Sequence, residues 1–146
     1  MIRFFGVLSL LIIADQIIKL FFVNGFAAHS GCISLVLAYN HGVAFSMFAF
    51  LEDWLKFVQM AALAGVAYYL YKEKQLFINF YYPVAFIFAG GISNIADRFT
   101  HGAVVDYVYW HCGFDFAIFN LADVLIDIGV VWILYKSYKI SKNHLG

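Results

Sequence analysis

Two aspartates are the residues of this chain whose surroundings best suit chemistry. Asp106 lies in the β-prone string VVDY, and Asp123 lies in the string FNLAD within a long apolar segment. A carboxylate near lipid is costly to maintain, so it usually has a partner or a function. Two carboxyls that meet share one proton, and such a pair can act on water as general base and general acid. We therefore predict that Asp106 and Asp123 form an acid–base pair.

The composition is that of a membrane protein. The chain has 146 residues, of which 64% are hydrophobic and 12% are charged, whereas soluble domains are about half apolar and a quarter charged. Nine basic residues balance nine acidic ones, so a nucleic-acid partner has no electrostatic support. We find no linker-like tract and no internal repeat. We therefore predict a single membrane domain over residues 1–146.

Four apolar stretches are long enough to cross a hydrocarbon core as helices. They lie near residues 4–23, 54–71, 77–96 and 119–136. Lysine and arginine concentrate at the N-terminus, at 72–76 and in the C-terminal tail, whereas 24–53 has neither and 97–118 has only Arg98. Because basic loops stay in the cytoplasm, we predict four transmembrane helices with both termini cytoplasmic. The two long insertions, about 24–53 and 97–118, are then extracytoplasmic.

The outer insertions contain β-prone strings. Residues 32–39 and 43–50 are apolar runs around a turn signal at 40–42, and residues 103–110 form a third run. Apolar strands cannot remain unpaired in water or in lipid. We therefore predict a mainly α fold with a small β-sheet on the extracytoplasmic side, where the sheet could line a groove for a substrate.

Asp15 and Lys19 are spaced i, i+4 in the first span, so they share a helix face. One interpretation is a mutual ion pair that lowers the cost of membrane insertion. The other is that one of them binds a substrate or a neighbouring span. The sequence leaves both interpretations open.

Further polar residues end the third span and begin the fourth. Asn94 and Arg98 share a face, and they could either help helix packing, with Arg98 paired to Asp97, or surround a buried site. Asn120 precedes Asp123 by three residues and adds to the polar cluster. For Asp127, one turn further on, we expect a structural hydrogen bond.

Asn40 and Gly42 lie in the turn between the first two β-prone runs. Their backbone geometry alone could explain them. Alternatively, Asn40 binds substrate backbone at the mouth of the site.

The two cysteines, Cys32 and Cys112, are 80 residues apart in connecting segments. Two thiols cannot hold a structural zinc, and the histidines show no zinc-protease spacing. We therefore expect no metal and no cofactor. Two free thiols are our expectation, and a disulfide is the alternative if both segments face an oxidising compartment.

Five strings, in order along the chain, resemble the lipoprotein signal peptidase family, also called type II signal peptidase. They are Asp15-x-x-x-Lys19, the Asn40 to Phe45 run NHGVAF, the Asn94 to Arg98 run NIADR, VVDY at Asp106 and FNLAD at Asp123. The strings extend over most of the chain. The chain has Ser93 where the family often has glycine before the asparagine.

The resemblance implies a four-span bacterial inner-membrane aspartyl protease with its site near the outer face. Family members cleave signal peptides from prolipoproteins just before a cysteine carrying diacylglyceryl. Asp106 and Asp123 would then be the catalytic dyad. The supporting or substrate-binding positions would be Asn94, Arg98, Asn120, Asn40, Gly42, Asp15 and Lys19. The partners would be prolipoprotein substrates and membrane lipids, and we expect a monomer.

Other classes remain open at this point. A proton-coupled transporter would use intramembrane charges, but it favours polar residues through the bilayer depth and internal repeats. A structural assembly protein would need Asp106 for association only. The chain could itself be a lipoprotein, because Ser30-Gly31-Cys32 follows an apolar run.

Overall fold

The structure is a computed structural model, and it describes residues 1–42 and 54–144. Within these ranges the fold has four helices and a three-stranded antiparallel sheet. In chain order the elements are α1 (Ile2–Val23), β1 (Ala28–His29), β2 (Ile33–Asn40), α2 (Leu55–Lys72), α3 (Lys74–Thr100), β3 (Val104–Trp110) and α4 (Leu121–His144). The prediction of a mainly α fold with a small sheet is confirmed.

The predicted element bounds were correct to within a residue or two in some places and wrong in others. β2 and β3 match the predicted runs 32–39 and 103–110, whereas the predicted strand 43–50 lies outside the described residues. The connection between the second and third predicted spans, at 72–76, consists of Glu73 alone. Helix α2 ends at Lys72, and α3 begins at Lys74 and continues to Thr100. Helix α4 continues past 136 as a polar, lysine-containing helix, which a hydropathy criterion does not detect.

Helix α3 is the centre of the fold and packs against α1, α2 and α4. Many outward-facing residues of the helices are large, apolar and exposed, as Leu10, Val131 and Leu134 show. Two helices, α1 and α3, are long and apolar enough to cross a membrane by length and composition. The prediction of four spans therefore rests on the sequence argument for α2 and α4.

Helix α3 is broken near its start by Pro83. Proline has no N–H and its ring clashes with the carbonyl four residues earlier, so the carbonyl of Asn79 loses its helical partner. The backbone of Phe80 is non-helical there (φ −120°, ψ 18°). The ammonium of Lys136 on α4 donates to the Asn79 carbonyl and satisfies it. The break is thus part of the contact between α3 and α4.

Glycines allow α3 and α4 to approach closely. A Cβ at Gly90 would lie 2.2 Å from the carbonyl oxygen of Ala122, and a Cβ at Gly129 would lie 2.8 Å from the carbonyl oxygen of Pro83. No side chain fits at these distances. The start of α4, which contains Asp123, can therefore approach α3 only because residue 90 is glycine.

We expect Gly90→Val to lower the free energy of unfolding by about 3 kcal/mol or more, because overpacking forces the two backbones apart. Gly65→Val is the matched control, since Gly65 also lies inside a helix and a Cβ added there would have no neighbour within 4 Å. Thermal unfolding in detergent would measure both variants. Equal losses in the two variants would contradict the close-approach argument.

The sheet covers the helix ends at which α1 and α3 finish and α4 begins. β2 pairs with β3 in a register that sets Ala38 opposite Asp106 and Ile33 opposite Trp110. The first four residues of β3 are buried. The ring of Tyr107 stacks on Phe22 of α1 with centroids 4.3 Å apart. The sheet is thus held against the bundle at the position of Asp106.

The expectation of two free thiols was wrong. Cys32 and Cys112 form a disulfide, with Cα atoms 4.6 Å apart. The register that pairs Ile33 with Trp110 brings the two cysteines together, and the N–H of His111 donates to the carbonyl of Cys32. A sequence separation of 80 residues contains no information about this register.

Candidate active site

Asp123 and Asn120 cap the N-terminus of α4 reciprocally. The Asn120 Oδ1 atom accepts from the Asp123 N–H at 2.9 Å, and the Asp123 Oδ2 atom accepts from the Asn120 N–H at 3.1 Å. This is a capping box, which satisfies two of the free N–H groups at a helix start. The cap fixes the Asp123 carboxylate in the first turn, where the helix dipole favours negative charge.

Two other elements bind the next free N–H groups of α4. The Leu121 N–H donates to the Tyr107 hydroxyl at 3.0 Å, and the Ala122 N–H donates to Asp15 Oδ1 at 2.8 Å. Tyr107 belongs to β3 and Asp15 to α1. The start of α4 is therefore fixed to both elements, and the position of Asp123 with it.

Asp106 lies in β3, and its side chain is 2% exposed. Its Oδ2 atom accepts from Asn40 Nδ2 at 3.0 Å, and its Oδ1 atom accepts from Asn120 Nδ2 at 2.7 Å. Asn40 ends β2, so the β2–β3 pairing sets this contact. Asn120 therefore binds both carboxyls, Asp106 through its side chain and Asp123 through its backbone N–H.

Burial raises the pKa of Asp106 from the usual 3.8 to about 6, and the neighbouring carboxylate of Asp123 acts in the same direction. The hydrogen bonds from Asn40 and Asn120 oppose the shift, because they stabilise the ionised form. A carboxyl that titrates near neutral pH can both hold and release a proton under physiological conditions. This property suits a general acid or base.

The raised pKa predicts a pH-dependent stability. Folded Asp106 binds its proton more tightly than the unfolded chain does, so this group favours folding fully below pH 3.8 and loses that effect as pH rises through about 6. The Asp106→Asn variant lacks this titrating group. The difference in free energy of unfolding between the wild type and this variant should therefore decrease by at most about 3 kcal/mol as the pH rises from about 4 to about 7.5. Unfolding of both proteins across this range measures the difference, and a constant difference would contradict the pKa shift.

Asn94 orients the carboxyl of Asp123. Its Nδ2 donates to Asp123 Oδ1 at 2.8 Å, while its Oδ1 accepts from Lys19 Nζ at 2.9 Å and from Asn120 Nδ2 at 3.1 Å. Because two donors occupy the oxygen, the amide nitrogen must point to Asp123. Lys19 thus acts on Asp123 through Asn94.

Lys19 lies between two buried carboxylates. Its ammonium is 2.8 Å from Asp15 and 2.7 Å from Asp97, and all three residues are at most 2% exposed. Of the two interpretations left open for Asp15 and Lys19, the structure shows the mutual ion pair and also a contact of Lys19 with the neighbouring helix α3. The alternative in which Arg98 pairs with Asp97 is wrong, because Asp97 points to Lys19 and also accepts from the Val105 N–H at 3.1 Å. That contact ties α3 to β3.

Sequence reasoning missed the parts that Gln16 and Ser93 play in this network. The Ser93 hydroxyl donates to Asp15 at 2.6 Å, and Gln16 Nε2 donates to Ser93 Oγ and to Asp97, each at 2.8 Å. Ser93, the departure from the family pattern, therefore adds a hydrogen bond. The available signal was a polar Gln16 adjacent to Asp15 in an apolar span.

Arg98 fixes the turn above the site. Its guanidinium donates to the carbonyl of Gly42 and, at 3.4 Å, to the carbonyl of Asn94. The Gly42 N–H in turn donates to Asn40 Oδ1 at 3.0 Å. Asn40 and Gly42 therefore form the predicted turn, and Asn40 contacts Asp106 as well.

The two carboxyls lie on the wall of one cavity of about 440 Å³. Its polar lining residues are Asn40, Gln59, Asn94, Arg98, Asp106, Asp123 and Asp127. Gly42 also lines it, and the 116–119 segment supplies an apolar wall. Three other predicted site residues do not line the cavity and are fully or almost fully buried. They are Asp15, Lys19 and Asn120. Their side chains contact other groups of the site.

The surroundings of Asp127 differ from those that we predicted. We expected a structural hydrogen bond, but its side chain is exposed on the cavity wall and has no hydrogen-bond partner within the part of the chain that the structure describes. Across residues 1–42 and 54–144, no three His, Cys, Asp or Glu side chains are arranged to hold a metal ion. A metal-free and cofactor-free reaction stays a prediction.

Comparison with known proteins gives a family match over most of the chain. The family model described as signal peptidase (SPase) II matches residues 7–139. A lipoprotein signal peptidase of Wolinella succinogenes is 49% identical over 136 residues, which cover 93% of each chain. Those of Sulfurimonas denitrificans and Helicobacter pylori strain 26695 are 54% and 47% identical, over 90% and 92% of this chain and 86% of each relative.

Two solved structures share the fold. A bacterial membrane enzyme determined by the in meso method at 2.3 Å resolution matches with a TM-score of 0.83 and 24% identity, over 97% of this chain and 90% of that one. A second, determined by the same method at 1.9 Å, matches with a TM-score of 0.78 and 23% identity, over 91% and 90%. At these low sequence identities, the similarity shows a shared fold alone.

Proposed function

Because this chain belongs to the signal peptidase II family, a family of aspartic-type proteases, we propose that it removes the signal peptide from diacylglyceryl-modified prolipoproteins. Cleavage would fall just before the lipidated cysteine. The observation that supports this most is the arrangement of Asp106 and Asp123, which share Asn120 as a hydrogen-bond donor and line one cavity.

The two carboxyls have different surroundings, which suggests different roles. Asp123 lies in the first turn of α4, where the helix dipole and the hydrogen bonds from the Asn120 N–H and the Asn94 amide stabilise its ionised form against the cost of burial. Asp106 is buried, and its pKa is raised to about 6. We assign Asp123 as the general base and Asp106 as the general acid, while the titration belongs to the pair as a whole.

The reaction follows from these roles. Asp123 takes a proton from water as the water oxygen attacks the scissile carbonyl, and Asp106 donates its proton to the carbonyl oxygen. The neutral tetrahedral intermediate then breaks its C–N bond. The leaving nitrogen takes the proton from Asp123, and a hydroxyl of the intermediate returns one to Asp106. No covalent enzyme adduct forms, and the dyad ends in its starting state.

The proposed setting is the bacterial inner membrane, with four spans, both termini in the cytoplasm and the site near the outer face. The distribution of lysine and arginine supports this orientation. The exposed apolar helix surfaces support lipid contact. In that orientation water would reach the carboxyls from outside, while a lipid-anchored substrate would enter sideways from the bilayer.

Incubation of the purified protein with a diacylglyceryl-modified precursor tests the proposal. We expect mass spectrometry to show release of the signal peptide, with the new N-terminus at the lipidated cysteine. The same precursor without lipid is the matched control for substrate class. Absence of cleavage, or cleavage at another bond, would contradict the proposed function.

A further inference from the structure

Gln59 has a buried polar atom without a hydrogen-bond partner. It lies in α2 on the wall of the same cavity as Asp106 and Asp123. Its Oε1 atom has no contact with solvent and no hydrogen-bond partner in the described part of the chain. Buried polar atoms are nearly always paired, so an unpaired acceptor requires an explanation.

The packing of α2 on α3 places Gln59 at the depth of the two carboxyls. The side chain of Leu63 lies 3.0 Å from where a Cβ of Gly91 would be, and the ring of Phe57 contacts that of Phe99. The two helices therefore run antiparallel, so Gln59, one turn before Leu63, lies beside the α3 turn that contains Asn94. Asn94 donates to Asp123, and Gln59, Asp106 and Asp123 line the same cavity.

We propose that Gln59 is a substrate-binding residue: when the extended peptide enters, the Gln59 amide turns toward the cavity that it lines, and its oxygen accepts a backbone N–H next to the scissile carbonyl. This inference rests on the proposed function. An apolar signal peptide has few side-chain donors, so its backbone N–H groups are the donors that it must satisfy inside the cavity. An acceptor with no other partner among the described residues, carried by a residue that lines the cavity of the reacting groups, meets that need.

The variant Gln59→Met tests this role at nearly constant side-chain volume. We expect KM to rise about fivefold with kcat little changed, as for the loss of one neutral hydrogen bond that contributes equally to substrate and transition state. We also expect Tm to stay the same or rise, because the variant removes an unsatisfied buried oxygen. An unchanged KM, or a lower Tm, would overturn the assignment, since a lower Tm indicates a structural role.

The matched control is Gln75→Met, because Gln75 is exposed on α3 and bonds the side chain of Asn79, away from the cavity. We expect that variant to have wild-type KM and kcat. An equal rise of KM in both variants would overturn the assignment of Gln59.

A second measurement locates the hydrogen bond on the substrate. Lipid-modified precursors with an ester in place of one backbone amide near the scissile bond each lack one N–H donor. At one position the ester should reduce kcat/KM of the wild type about fivefold and leave that of Gln59→Met unchanged. Equal losses in both proteins at every position would overturn the inference. Failure of the wild type to cleave the all-amide precursor would instead overturn the proposed function.

Discussion

Replacing Asp123 with asparagine should reduce turnover by at least about 10³-fold without unfolding the protein. The asparagine oxygen can still accept from the Asn120 N–H, so the cap of α4 persists. An amide cannot take a proton from water, so the general base is lost. Asp106→Asn should have an effect of similar size, because an amide cannot deliver the acid proton. Single-turnover cleavage of a lipid-modified precursor measures both effects.

Asp115→Asn is the matched control for this charge removal. Asp115 is exposed and accepts from the Tyr109 hydroxyl at 2.7 Å, outside the cavity. Its variant should cleave at the wild-type rate. If either dyad variant kept cleavage within about tenfold of the control, that aspartate would have to be removed from the catalytic pair.

Replacing Lys19 with methionine should reduce the free energy of unfolding by about 3–5 kcal/mol, because Asp15 and Asp97 would remain buried without their cation. Cleavage should also be impaired in the protein that still folds, because Asn94 would lose the donor that helps to orient its amide toward Asp123. Thermal unfolding together with turnover at a temperature where the variant is folded separates the two effects.

Two further variants sharpen this test. Lys139→Met removes an exposed lysine from α4 and should change stability by less than about 0.5 kcal/mol. Adding Asp97→Asn to Lys19→Met should recover part of the lost stability, because one uncompensated charge is removed while an amide oxygen can still accept from the Val105 N–H. If Lys19→Met were as stable as Lys139→Met, the buried charges would not need their cation.

The family strings and the apolar stretches allowed the candidate pair and most of the architecture to be predicted from the sequence. Hydropathy and β-propensity act locally, so helices α1 and α2 and strands β2 and β3 were predicted close to their observed bounds, whereas α3 and α4 extend further than predicted. Asp106 and Asp123 could be singled out for the same reason, since a carboxylate in an apolar run is costly unless it is used. The four spans, the orientation and the monomeric state stay predictions.

Contacts between distant segments could be decided only by the tertiary structure. The partner of Asp97, the Cys32–Cys112 bond and the capping of α4 by Asp15 depend on how β2 pairs with β3 and how closely α3 approaches α4. The amino-acid sequence alone determined which residues are too polar for their apolar surroundings. The tertiary structure decided which of them meet, because strand register and helix packing arise from contacts summed over the whole domain, and no local pattern records them.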